Sequence, residues 1–179
     1  MSAPFAVRFA LEHPPLPKPR PRARVVQPKG KVAFVHVYPD ADGERDEEKI
    51  ERLAARFAPP APIEGPVRLE VVAAVLVPAS WPAWQALAAL EGKFRPTSGR
   101  GGRGVGGDVD NLAKQMLDAL TRSGQWWKDD AQVVELLARK VYAETAGWAV
   151  AVEEIREPTR EEYLAAGKAR QAMMFGEAR

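Results

Sequence analysis

The chain has 179 residues, no cysteine and two histidines, with 46% hydrophobic and 28% charged residues. That balance is one of a folded globular domain, and it excludes disulfides, thiolate metal sites and a structural zinc centre. A net charge of +2 does not by itself mark a nucleic-acid binder, and no apolar run approaches the roughly 18–20 residues that span a bilayer.

Phe5, Val7, Phe9 and Leu11 alternate with other residues and read as a first strand with one buried face. The stretch Met1 to Leu11 lacks the continuous apolar core of a signal peptide, so a cytoplasmic protein is expected. From Pro14 to Arg22 prolines recur at nearly every second position. Each lacks an N–H and disfavours the α conformation in its predecessor, so an extended arm displaying Lys18, Arg20 and Arg22 follows. Lys31 to Tyr38 is β-branched and aromatic enough for a second, short strand.

Asp40 or Asp42 can cap a helix to about Phe57, with Ile50, Leu53, Ala54 and Phe57 at helical spacing. Val67 to Val77 is apolar and long enough for a central strand. Ser80 is expected to cap a helix from Trp81 to Leu90, with Pro82 in its first turn. Gly99 to Gly107 holds six glycines in nine residues and reads as a mobile loop. Val109 to Arg122 is the clearest helix, with a stripe of Leu112, Met116, Ala119 and Leu120, ended by Ser123-Gly124. Gln125 to Trp127 reads as a short strand and Asp129-Asp130 as a turn. Gln132 to Tyr142 and Gly147 to Ile155 read as an antiparallel hairpin. Thr159 with Glu162 forms a capping box for a C-terminal helix to about Met174. We expect a domain over residues 1–157, with a basic arm at 13–31 and a Gly/Arg loop at 92–107, and a helical tail over 158–179.

Charge is segregated along this order. Between His13 and Pro39 there is no acid, while Lys18, Arg20, Arg22, Arg24, Lys29 and Lys31 are basic. Gly92 to Gly107 is also acid-free and carries Lys93, Arg95, Arg100 and Arg103. Such stretches make a phosphate-attracting face on a nearly neutral protein.

The chemistry concentrates in Asp108-Val109-Asp110-Asn111-Leu112-Ala113-Lys114 and in Trp127-Lys128-Asp129-Asp130-Ala131-Gln132-Val133-Val134. Residues two apart in extended chain face the same way, so the Asp108 and Asp110 carboxylates can converge on one cation. Asp110 also stands where the positive end of a helix favours its ionised form. Lys114 projects from the same side of the helix, opposite the apolar stripe. Asp129-Asp130 can bring a third carboxylate from afar. With no cysteine and few histidines, any metal site must use oxygen, which suits magnesium, or manganese in its place. Three carboxylates and a lysine fit phosphodiester hydrolysis, the cation offsetting phosphate charge and activating water. Each piece alone reads more simply as a helix cap or a solvated turn; the combined string is far more specific.

That string, D-x-D-N-L-x-K, then D-A-L, then W-x-D-D-x-Q-V-V, resembles the RusA family of Holliday-junction resolvases of bacteria and their phages. Pro15 to Arg22 is similar to the family's proline- and arginine-rich segment. The resemblance implies an α+β fold, a single compact domain with a mixed sheet packed against helices. It further implies a homodimer that binds four-way DNA junctions and nicks two strands symmetrically with magnesium. Family metal carboxylates match Asp108, Asp110 and Asp130, and the family's essential lysine matches Lys114; Asp129 matches a neighbouring acid of lower rank. Lys18, Arg20, Arg22, Arg100 and Arg103 are then expected on DNA. The last two are expected to supply charge that family members place directly before the first aspartate, where Gly106-Gly107 stand here. Trp126 or Trp127 could wedge into a junction. Trp81 and Trp84 read as core or dimer contacts, and His13 and His36 as structural or exposed.

Two other readings stay open: a broader flap or fork endonuclease, and a catalytically idle branched-DNA-binding protein. A nucleotide cofactor is not expected, since the chain has neither a P-loop nor a dinucleotide-type glycine turn.

Overall fold

The structure, a computed structural model, describes residues 4–16, 22–27, 32–38, 41–96 and 107–166. Among the described residues the strands and principal helices are β1 (Ala6–Leu11), β2 (Arg22–Val26), β3 (Phe34–Tyr38), α1 (Ala41–Ala54), β4 (Val67–Leu76), α2 (Ala83–Leu90), α3 (Val109–Arg122), β5 (Val133–Ala143) and β6 (Gly147–Glu154). The domain is α+β: a mixed four-stranded sheet in the order β1-β6-β4-β5, with a separate ribbon of β2 and β3.

β4 sits inside the sheet because every second residue is fit for burial. Val67, Leu69, Val71, Ala73 and Val75 are all at most 2% exposed. With Trp148, Val150 and Val152 of β6 and Leu11 of β1, they make one apolar face. Ile50 and Ala54 of α1 and Leu112, Met116, Ala119 and Leu120 of α3 complete the core, the stripe expected for α3. Phe9 stacks on Phe57 and on Trp126, with centroids 4.7 and 5.3 Å away. Trp126, Trp127 and Trp148 are buried, so neither Trp126 nor Trp127 is available as a wedge. Trp84 is 67% exposed and is not core.

The expected β5–β6 hairpin does not form. β5 pairs in parallel with β4, and β6 pairs antiparallel with the other edge of β4. A short connection at Glu144 to Ala146 suggests direct pairing, but β4, apolar along its whole inward face, takes the place between them. β5 therefore stands at the edge of the sheet, with Val134, Leu136 and Leu137 each about half exposed or more.

Smaller differences have local causes. Arg22 to Val26, expected within the extended arm, pairs antiparallel with β3, Arg22 opposite Tyr38. The prolines end at Pro21, so this segment has the N–H groups a ladder needs. Pro82 is the residue flanking α2 rather than part of its first turn, with φ −65° and ψ 152°, so Ser80 is not the cap. The expected strand at Gln125 to Trp127 is reduced to one bridge between Trp127 and Ile63. The turn at Asp129-Asp130 opens a 3-10 turn, Asp130–Gln132. Beyond β6, Thr159 N–H donates to Glu162 at 2.9 Å and Glu162 N–H to the Thr159 hydroxyl at 3.2 Å, the reciprocal capping box. The helix it opens is described from residue 160 to 166.

His13, expected to be structural or exposed, is buried at the foot of the arm. Its Nε2 lies 2.5 Å from Asp46 Oδ1 of α1, and Gln115 Nε2 of α3 donates to Asp46 Oδ2 at 3.0 Å. Satisfied in this way, the buried carboxylate ties three segments together. Among the described residues no helix is long and apolar enough to cross a membrane.

Candidate metal and nucleic-acid site

Asp108 is the residue flanking the start of α3, in extended conformation at φ −61° and ψ 148°. An aspartate there ordinarily accepts a hydrogen bond from the first turn of its helix. The Asp108 side chain makes no such cap bond; its carbonyl joins α3, accepting from Leu112 N–H at 3.1 Å. Asp110 lies in the first turn, where the N–H groups at the helix start favour negative charge.

Both aspartates line an open cleft of about 780 Å³ together with Arg95, Arg139 and Lys140. Lys140 comes from the inward face of β5, in register with Ala73 of β4, and its Nζ donates to Gly107 O at 3.0 Å. Burial pushes the Lys140 ammonium below the usual lysine range, and the charge of Asp108 works against that shift. Two acids and three cations around one opening suit an anionic ligand carrying a cation with it. Lys114 is exposed one turn further along α3 and stands outside the lining of the cleft.

Asp129 and Asp130 lie elsewhere. Asp129 Oδ1 accepts from Ala131 N–H at 2.8 Å, and Gln132 Oε1 accepts from Lys128 and Asp129 N–H at 2.9 and 3.2 Å. Gln132 Nε2 donates to Ile63 O and Gly65 O at 2.8 and 3.2 Å. The carboxylate of Asp129 is thus occupied in capping, while Asp130 is exposed beside it. This turn leads straight into Val133 at the start of β5, and Lys140 is seven residues further on, on the order of 23 Å at about 3.3 Å per residue. Among the described residues no group of three acidic or histidine side chains is placed to hold one metal ion. One chain therefore brings Asp108 and Asp110 together and leaves Asp130 at the far end of β5.

Lys18, Arg20, Arg100 and Arg103 lie outside the described residues. Arg22 begins β2, and its side chain is not described. Lys140 and Arg139 stand outside every motif of the sequence, while Arg95 belongs to the acid-free stretch and Gln132 to the W-x-D-D-x-Q-V-V string. Lys140 had a signal: it alternates with Leu136, Ala138 and Tyr142, which places a charge on an inward face.

A single α+β domain with paired helix-start carboxylates in a cationic cleft is the framework of a nuclease. The family model described as endodeoxyribonuclease RusA matches residues 12–153, and the chain belongs to that family of DNA endonucleases. A Bacillus subtilis (strain 168) protein named "Uncharacterized protein YqaN" is 28% identical over 151 residues, covering 83% of this chain and 96% of that one.

Proposed function

We propose that the protein is a divalent-cation-dependent endonuclease that resolves four-way DNA junctions in recombination and repair, acting in the cytoplasm as a homodimer. The observation that carries this reading is the pairing of Asp108 and Asp110 beside Arg95, Arg139 and Lys140 in a member of the RusA family. Family membership supports junction DNA as substrate, and the oxygen-only donor set fits magnesium or manganese.

The separation along β5 shapes the mechanism. Asp108 and Asp110 of one copy supply two carboxylates, and Asp130 of a second copy supplies the third. A two-fold axis creates two such composite sites, as two opposed cuts require. The exposed edge of β5 is long and carries apolar residues at its middle, which supports a contact between copies there. When bound, the cation supplies positive charge against which the phosphodiester is hydrolysed. Asp108 and Asp110 hold it at the positive end of α3. Arg95, Arg139 and Lys140 draw the DNA backbone into the cleft. Lys114 meets phosphate on the exposed side of α3, and Arg22 with Lys18, Arg20, Arg100 and Arg103 adds further backbone contacts, which makes binding fall steeply with salt.

The test is cleavage of a panel of four-way junctions, forks, flaps and linear duplex with magnesium. Preferential, paired nicking of the four-way junction is expected. Equal cutting of forks and flaps would replace junction selectivity with the broader nuclease. Binding without cutting, indifferent to Asp130→Asn and to calcium in place of magnesium, would make the protein an idle binder. Mixing Asp108→Asn with Asp130→Asn chains tests the shared site. In a mixed dimer one composite site keeps all its wild-type aspartates, so nicking returns. Sites built within one chain would leave the mixture inactive.

A further inference from the structure

We infer that Lys140 is a positioning residue for the metal-holding pair, keeping the Asp108 carboxylate turned to the cleft instead of capping α3. This rests on the proposed function, since it assigns the same carboxylates to a cation.

Three observations meet at this point. Asp108 occupies the position where an aspartate side chain ordinarily caps a helix, and no cap bond is made. Such a bond is worth about 1 kcal/mol, so some other interaction must compete for that carboxylate. The backbone carbonyl immediately before it, at Gly107, is gripped by Lys140 at 3.0 Å. The Lys140 ammonium also feels the charge of Asp108, and an ammonium group has two further N–H donors once one is committed.

The placement also explains why a strand lysine is used. β5 is pinned to β4 along its length from Val133 to Ala143, so Lys140 projects from a rigid element. The chain at residues 107–108 has no such ladder. Fixing a mobile ligand by a second group on a rigid element is how outer residues tune metal sites, and losing such a group typically lowers metal affinity 10–100-fold. Lys140 touches the backbone carbonyl just before the ligand, and its effect on the cation passes through Asp108.

The test measures Mn²⁺ binding to the intact dimer by titration calorimetry, beside the melting temperature of the metal-free protein. In Lys140→Met the long apolar stem is kept and the donor is lost. Affinity for Mn²⁺ is expected to fall about tenfold or more, while the metal-free melting temperature holds, because Asp108 becomes able to cap α3. Lys140→Arg keeps a donor for Gly107 and should recover most of the affinity. Unchanged or tighter Mn²⁺ binding in Lys140→Met overturns the inference. So does an Arg variant as weak as Met, which is decisive if Lys140→Met melts early. Asp108→Asn separates the two levels. Its loss of Mn²⁺ with no loss in Lys140→Met sinks this inference alone, whereas normal binding by Asp108→Asn removes the ligand assignment and this inference with it.

Discussion

The two ends of β5 hold acidic pairs of similar sequence and opposite character. At the Lys140 end, Asp108 forgoes its cap and Asp110 faces a cleft with three cations. At the Val133 end, Asp129 caps a 3-10 turn and Gln132 bonds four backbone groups. In the first pair Asp108 leaves its cap bond unmade, while both residues line the cleft. The second spends one acid on architecture and leaves its neighbour, Asp130, exposed. An aspartate's role is thus set by whether nearby N–H groups have already claimed it, and sequence adjacency says nothing about that.

The contrast can be broken by substitution. The largest effect is expected from Asp110→Asn and Asp130→Asn. Each should lower the junction-cleavage rate by at least about 100-fold, because a ligand to a charge-stabilising cation is worth several kcal/mol. Single-turnover cleavage measures it, and Asp129→Asn within tenfold of wild type is the matching expectation. If Asp129→Asn were the more damaging change, the division of labour between these neighbours would be reversed.

Next comes Gln132→Ala. It leaves Ile63 O and Gly65 O without their side-chain donor and loosens the capping of the turn, so about 2–3 kcal/mol of stability should be lost. Urea unfolding with an unchanged slope would report it. Asp129→Ala should cost about 1 kcal/mol by losing its cap bond. Smallest of all is Asp108→Asn: the Asp108 side chain makes no cap bond to lose, and asparagine suits that position as well as aspartate does, so unfolding stability should stay within about 0.5 kcal/mol of wild type. A large destabilisation there would mean that Asp108 serves the fold.

Much of this was legible beforehand. The 3.6-residue stripe of α3 and the alternation of β1 each describe one buried face, and burial is what the fold rewards. That Asp108 and Asp110 stand together at the start of α3 was legible from their spacing ahead of its apolar stripe. Two things were not. The three-residue connection after β5 suggests a hairpin, but strand neighbours are chosen by the apolar face of β4, far away in sequence. The expected meeting of Asp130 with Asp108 and Asp110 is also not made within one chain among the described residues, and α3 itself carries the reason. Fourteen residues of helix extend about 21 Å, and the turn after Arg122 lies at the far end. Only β5 runs back, and it brings Lys140 to Asp108.

The placement of the tryptophans has a practical consequence. Trp126, Trp127 and Trp148 are sealed in the core while Trp84 on α2 is two-thirds exposed. Emission from the sealed rings should be blue-shifted and indifferent to acrylamide, so quenching would come from the exposed Trp84 and, less, from the partly buried Trp81 just before α2. That gives α2 a built-in optical reporter: a second chain or a DNA arm covering this helix would shield Trp84 from the quencher without any label being attached.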